Sequence, residues 1–225
     1  MDGQQAETKT DDRVRRARER MVADQLRRRG IHDERVLRVM GEVPRESFVD
    51  VDDPRRAYDD EALPIQLGQT ISQPFMVARM TELLATRPGD RVLEVGTGSG
   101  YQAAILAALD CRVTTIERHP DLAATARARL TALGYGDDVL VVAADGSLGR
   151  PEGAPWDGIL VAAAAPVVPN ALRDQLADGA RLVIPVGPRD RQMLTVVTRH
   201  GNEWTDVPDG ACVFVPLVGA GGYAG

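Results

Sequence analysis

The sequence predicts an α/β protein: a doubly wound, mostly parallel sheet, preceded by N-terminal helices and closed by an antiparallel C-terminal strand. Three observations predict it. From Arg91 onward, short runs rich in β-branched residues alternate with alanine- and leucine-rich helical stretches, which is the pattern of β–α–β units. A glycine-rich turn, Gly96-Thr97-Gly98-Ser99-Gly100, separates the first of these strands from its helix. After Gly187 the helices stop, and two strand-like runs follow with His200-Gly201-Asn202 between them.

The elements follow in order. The first ten residues are polar and aperiodic, so residues 1–12 are expected to be a disordered tail. Residues 13–219 are expected to form one domain, and residues 220–225 a flexible end. From Asp11 to Arg29, Val14, Ala17, Met21, Val22 and Leu26 make one apolar stripe, and Gly30 is a stop signal. A short helix is expected from about Asp33 to Met40. Residues 44–75 have no clean period and contain Pro44, Pro54, Pro64 and Pro74; a long irregular stretch inside a folded chain is often functional. Pro74 suits a first helical position, and Val77, Met80, Leu83 and Leu84 give that helix its apolar face. Strands are expected at 91–95, 112–116, 139–143, 158–162 and 181–186, with helices at 99–109, 120–133 and 170–176. Residues 193–199 and 211–218 are the closing strands.

Composition narrows the function classes. With 225 residues, 44% apolar and 27% charged, the chain is ordinary for a globular domain. No apolar run reaches the ~20 residues of a membrane helix, and with a polar start no secretory leader is expected. The net charge of −6 argues against broad steering toward nucleic acid. The arginine-rich first helix carries interleaved Asp11, Asp12, Glu19 and Asp24, as a solvated face does. Cys111 and Cys212 are far apart, and His32, His119 and His200 do not cluster, so neither a disulfide framework nor a metal site is expected. Free thiols suit the cytoplasm.

The sharpest local signal is Glu94-Val95-Gly96-Thr97-Gly98-Ser99-Gly100-Tyr101. It follows a strand and opens a helix, the setting in which glycines let backbone approach a nucleotide-like ligand and a helix start offers free N–H groups. The dinucleotide fingerprint needs a third glycine where Tyr101 stands, and no Lys-Ser/Thr follows, so neither that motif nor a P-loop fits. Glu117 ends the second strand, 21 residues after Gly96, where a carboxylate can accept from ribose hydroxyls. Asp145-Gly146 ends the third strand; a carboxylate there can accept from the adenine amine of the cofactor that the loop's resemblance to S-adenosylmethionine-dependent methyltransferases implies.

This loop resembles the first motif of S-adenosylmethionine-dependent methyltransferases. That resemblance implies a Rossmann-like methyltransferase fold. It also implies a cofactor site made of Thr70, Glu94, Gly96, Thr97, Gly98, Gly100, Glu117, Asp145 and Gly146. A second stretch is more specific. Leu63-Pro64-Ile65 and Gly68-Gln69-Thr70-Ile71-Ser72-Gln73-Pro74-Phe75-Met76-Val77-Ala78-Arg79-Met80 resemble the protein-L-isoaspartate O-methyltransferase family. So do Val43-Pro44-Arg45-Glu46-Ser47-Phe48-Val49, Gly96–Gln102, Pro185-Val186-Gly187 and Phe214-Val215-Pro216-Leu217.

The resemblance implies methyl transfer from S-adenosylmethionine to the free α-carboxylate of L-isoaspartyl residues in damaged proteins and peptides. The ester then cyclises to a succinimide that opens in part to normal aspartate. It also implies a metal-free, monomeric, cytoplasmic enzyme, bound neither to nucleic acid nor to membrane. Ser72 would be the active-site serine, orienting the carboxylate, with helix capping as its alternative role. Ile71, Val215 and Pro216 would line the peptide groove. The chain departs from the family at Val213, where members commonly carry arginine, and at Ser147, where many carry a bulky residue. The alternative within the same chemistry is a relative that methylates one aspartate of a ribosomally made peptide to give an aspartimide. Outside that chemistry stand a nicotinamide oxidoreductase and a non-catalytic binder.

Overall fold

The first helix, α1, spans Asp2–Arg20 in the computed structural model, which describes residues 2–224. It therefore takes in the polar stretch expected to be disordered. Gln, Ala, Glu and Lys are good helix formers, but they leave no apolar stripe for a periodicity argument to find. The helical path continues through a π turn, Met21–Leu26, and a 3₁₀ turn, Arg27–Arg29, and stops at Gly30 with φ +94°. Helix α2 (Glu34–Glu42) starts at Asp33, whose side chain accepts from the Arg35 N–H at 2.8 Å.

Residues 43–73 contain no α-helix. Two 3₁₀ turns, Arg45–Phe48 and Pro54–Tyr58, lead into a small antiparallel ribbon of β1 (Leu63–Pro64) and β2 (Thr70–Ile71). Helix α3 (Pro74–Leu84) follows with Pro74 in its first turn.

The main sheet is built from β3 (Arg91–Val95), β4 (Arg112–Glu117), β5 (Val139–Ala143), β6 (Trp156–Val161), β7 (Leu176–Val186), β8 (Gln192–His200) and β9 (Glu203–Cys212). Their spatial order is β5-β4-β3-β6-β7-β8-β9. Strands β3 to β7 are parallel; β8 and β9 are antiparallel to their neighbours. Between β3 and β4 run the glycine loop and α4 (Tyr101–Ala108); α5 (Pro120–Ala132) links β4 to β5, and α6 (Asn170–Asp174) links β6 to β7. The winding direction changes on either side of β3, so a crevice opens at its carboxyl end.

Alternation along β3 builds two cores. Val92 faces the cluster formed with α1 to α5, while Leu93 and Val95 face the cluster that includes Leu172 of α6. Helices thus cover both faces, as the doubly wound reading requires.

One boundary moved. The last strand lies at 203–212, not 211–218. As the outermost strand, β9 is largely exposed on both faces and shows no apolar alternation. Its Pro208 stands opposite Thr195, where the register slips, a position that only an edge strand tolerates. Residues 213–218 instead form an extended strap. The Ala164 N–H donates to the Val215 carbonyl at 2.8 Å, and the Leu217 N–H donates to the Ala164 carbonyl at 2.7 Å. The expected flexible end folds back: the Ala220 N–H donates to Asp145 Oδ2 at 3.0 Å, the Gly221 N–H to Ser147 Oγ at 2.9 Å, and the Tyr223 hydroxyl to the Gly187 carbonyl.

Candidate active site

A cleft opens at the carboxyl ends of β3, β4 and β6. Its walls include Thr70, Ile71 and Ser72 from the ribbon, the turn from Glu94 to Ser99, Glu117 and Gly146 from the next strand ends, and Val215 and Pro216 from the strap. Eleven of the thirteen expected site residues line it: Thr70, Ile71, Ser72, Glu94, Gly96, Thr97, Gly98, Glu117, Gly146, Val215 and Pro216. Gly100 and Asp145 do not.

The glycine loop turns through left-handed backbone at Gly96 (φ +96°), Gly98 (φ +53°) and Gly100 (φ +92°), which explains glycine at alternate positions. The N–H groups of the loop itself are largely committed to the fold. Gly96 and Thr97 donate to the Ile116 carbonyl at 2.9 and 3.3 Å, Gly98 to Glu117 Oε2 at 3.0 Å, and Gly100 to the Thr97 carbonyl at 2.9 Å. The loop is a shape that lets a ligand approach β3, not a cradle for phosphate. The Thr97 and Thr115 hydroxyls, 2.7 Å apart, tie it to β4. Gly100 sits behind the cleft, where a Cβ would come within 3.3 Å of Leu130 in α5.

The two carboxylates differ. Glu117 is mostly buried and uses its oxygens to fix backbone: Oε2 accepts from Gly98, and Oε1 accepts from the His119 N–H at 3.0 Å. Glu94 is fully buried, and neither of its oxygens has a partner. Burial pushes its carboxyl up to about 8, with the Glu117 charge adding to the rise. A buried carboxylate in that condition favours either a proton or a cationic ligand.

Asp145 is exposed and stands next to the cleft-lining Gly146. Its oxygens accept from the Ser147 N–H at 2.9 Å and from Ala220. It anchors the folded-back end of the chain, a contact between residues 75 positions apart that no local pattern reveals. Gly146 does line the cleft, and a Cβ there would lie 2.6 Å from Val95 Cγ1.

Ser72 lies between β2 and α3. The cap position of α3 is Gln73, and no side chain caps that helix, so the alternative role of Ser72 as a helix cap is not seen. Ser72 instead stands where the cleft meets a second, wider groove. Both cavities are lined by Thr70, Ser72, Ala162 and Val215, and the groove continues over Phe75, Met76, Val213 and Phe214 with Asp60 and Glu61 along it. Cys212 also lines the groove; burial raises its thiol to about 11, so it is protonated and inert near neutral pH.

Sequence reasoning passed over Tyr101 and Gln102, both buried and cleft-lining. Gln102 Nε2 donates to Thr81 Oγ1 at 2.9 Å and joins α4 to α3. Both residues stood inside the Gly96–Gln102 resemblance, which was the available signal. Arg45 was passed over in the same way. Among the described residues, no group of three or more His, Cys, Asp or Glu could hold a metal, and no helix is long and apolar enough to cross a membrane.

Comparison with known proteins bears on this arrangement. Residues 16–222 match the Protein-L-isoaspartate(D-aspartate) O-methyltransferase (PCMT) family. The chain is 54% identical over 207 residues to a protein-L-isoaspartate O-methyltransferase of Koribacter versatilis, covering 92% of this chain and 93% of that one. A solved protein-L-isoaspartate O-methyltransferase superposes with a TM-score of 0.83 at 27% identity, covering 91% of this chain and 67% of that one. A Plasmodium falciparum structure described as an enzyme of the same name, in complex with S-adenosyl-L-homocysteine, gives 0.74 at 27% identity, covering 88% and 96%.

Proposed function

The chain belongs to the protein-L-isoaspartate O-methyltransferase family, and from that premise we propose how its own residues serve the reaction. The enzyme is a protein-L-isoaspartate(D-aspartate) O-methyltransferase that uses S-adenosylmethionine. It methylates the free α-carboxylate of L-isoaspartyl residues in damaged proteins and peptides and so starts their repair through a succinimide. The observation that carries the site assignment is the meeting of two cavities at Ser72, which lets a cofactor in the cleft and a polypeptide in the groove share one wall.

The cleft fits this cofactor on its own chemistry. An orphaned, buried Glu94 carboxylate suits a ligand that carries positive charge, and a loop with committed N–H groups suits one that carries no pyrophosphate. S-adenosylmethionine, when bound, supplies a methyl group on a positively charged sulfur. Glu94 faces that cationic end. Glu117 holds the loop at Gly98 and keeps lone pairs free for ribose hydroxyls. Gly96, Thr97, Gly98 and Gly146 give the ligand a close backbone wall, with Thr70 on the facing side. Gly100 acts from behind by seating α5, and Asp145 acts by anchoring the chain end beside Gly146.

The substrate carboxylate has a reference pKa near 4 and is ionised at neutral pH, so no general base is required. Ser72 donates its hydroxyl to that carboxylate and orients it for in-line attack. Ile71, Val215 and Pro216 close the channel around the transfer and exclude water. Within this proposal the enzyme works as a cytoplasmic monomer on polypeptides, without metal. Repair is favoured over dedicated peptide tailoring because the relatives matched across nearly their whole length carry the repair enzyme's name.

The test is methyl transfer from labelled cofactor to two short peptides that differ only in L-isoaspartate against L-aspartate. Label on the isoaspartyl peptide alone, released as methanol on standing, is expected. Cofactor binding without transfer to either peptide would reject repair and bring dedicated peptide tailoring forward.

A further inference from the structure

We propose that Arg45 is a positioning residue for methyl transfer: buried behind the cleft, it fixes the Ser72 peptide and thereby aims the Ser72 hydroxyl. The inference rests on the role assigned to Ser72 above and extends it to the Val43–Val49 motif, which the reaction has so far left unused.

Arg45 is fully buried. Its Nη2 donates to the Ser72 carbonyl at 2.7 Å, and its Nε donates to the Ala57 carbonyl at 2.7 Å. Nη1 is buried without a partner. Among the described residues, no ion pair involves Arg45. Its guanidinium carbon lies 4.9 Å from the centroid of the Tyr101 ring, which lines the cleft at the start of α4. One side chain therefore ties together the turn at Pro54–Tyr58, Ser72 in the link between β2 and α3, and the helix that follows the glycine loop.

A buried cation without a counter-ion is destabilising, so bulk stability is a weak reason for its presence. Geometry is a better one. Ser72 lies in neither β2 nor α3, so neither a strand ladder nor a helix fixes its carbonyl. A planar guanidinium can donate to carbonyls on two separate segments while its face rests on an aromatic ring; an ammonium on a flexible stem holds neither direction. Arg45 thus supplies at Ser72 the rigidity that secondary structure supplies elsewhere, and a loop residue becomes a fixed donor.

The test is a double-mutant cycle with Arg45→Lys and Ser72→Ala. Transfer to an isoaspartyl peptide is measured together with two binding constants: that of S-adenosylhomocysteine by calorimetry, and that of the peptide for the S-adenosylhomocysteine complex. In the Ser72 enzyme, Arg45→Lys is expected to lower kcat about 10–100-fold, the size of effect of a roughly 1 Å misplacement. It is also expected to weaken the peptide while leaving S-adenosylhomocysteine affinity within about twofold. In the Ser72→Ala background the same change is expected to lose most of its effect, because its route to the carboxylate is gone.

Equal losses in both backgrounds, or a large fall in S-adenosylhomocysteine affinity, would assign Arg45 to general support and overturn the proposal. Arg45→Gln is the second variant. If neither variant folds with saturating S-adenosylhomocysteine, Arg45 belongs to stability, which also overturns it. Absence of transfer by the unsubstituted enzyme would instead sink the function reading on which this inference rests.

Discussion

Replacing Glu94 with glutamine isolates the chemistry of the cleft. The Glu94 side chain is fully buried with both oxygens unpartnered, and burial raises its carboxyl from 4.5 to about 8. A carboxyl whose pKa is higher folded than unfolded favours the fold at low pH. That contribution is complete below about 4.5 and is lost as pH rises through about 8. At ~1.4 kcal/mol per pKa unit, the difference across this window is on the order of 5 kcal/mol, with a slope near 1 kcal/mol per pH unit at pH 7. Unliganded Glu94→Gln should therefore be more stable than the parent at pH 8 and should lose most of this pH dependence, read by urea unfolding at pH 5 to 8. At pH 7, below that raised value, Glu94 is mostly protonated before binding. A cationic ligand facing it should displace that proton, which calorimetry in buffers of different ionisation enthalpy would detect. Glu94→Gln should release no proton and should bind S-adenosylmethionine at least about tenfold more weakly, the cost of one lost charge-assisted contact. Equal stability of parent and variant at pH 8, together with proton-neutral binding by the parent, would refute the reasoning.

Three further outcomes are expected. Ser72→Ala should lower kcat/KM for an isoaspartyl peptide about 10–100-fold, the value of a hydrogen bond to a charged group, with S-adenosylhomocysteine affinity unchanged; a parallel loss of cofactor binding would show Ser72 acting on the cleft as a whole. Gly146→Ala places a Cβ 2.6 Å from Val95 Cγ1 and should cost about 1–3 kcal/mol, roughly 3–9 °C in Tm by calorimetry. Val213 is 73% exposed in a groove whose charged lining is Arg29, ion-paired with Asp60, and Glu61, so Val213→Arg adds an unpaired cation and should lower KM about two- to fivefold for isoaspartyl peptides with acidic flanks and leave neutral ones unchanged; an identical shift for both peptides would contradict a charge effect.

Much of this was legible in the residues. The run from Arg91 to Val186 announced a parallel sheet because buried strands and amphipathic helices have different periods, and both periods were present. Glu94, the alternating glycines and Glu117 marked the crevice because each ends or follows a strand on the same edge of the sheet. The stretch from Gly68 to Met80 pointed to the chemistry through its resemblance, and Ser72 does lie where the two cavities join.

The chain alone determined the sheet, its switch point and the residue types at the strand ends, since all of these rest on local period, turn chemistry and motif order. What only the tertiary structure decided were relations between segments distant in sequence. β9 hides its identity because an edge strand buries neither face. Asp145 holds the chain end, 75 residues away, through a hydrogen bond to Ala220 that no local pattern foretells. The loop N–H groups were spent on Ile116 and Glu117, and Arg45 reached Ser72 across 27 positions from inside the core. Hydrogen-bond satisfaction in a packed interior is settled by which groups meet in space, and a one-dimensional pattern does not encode that choice.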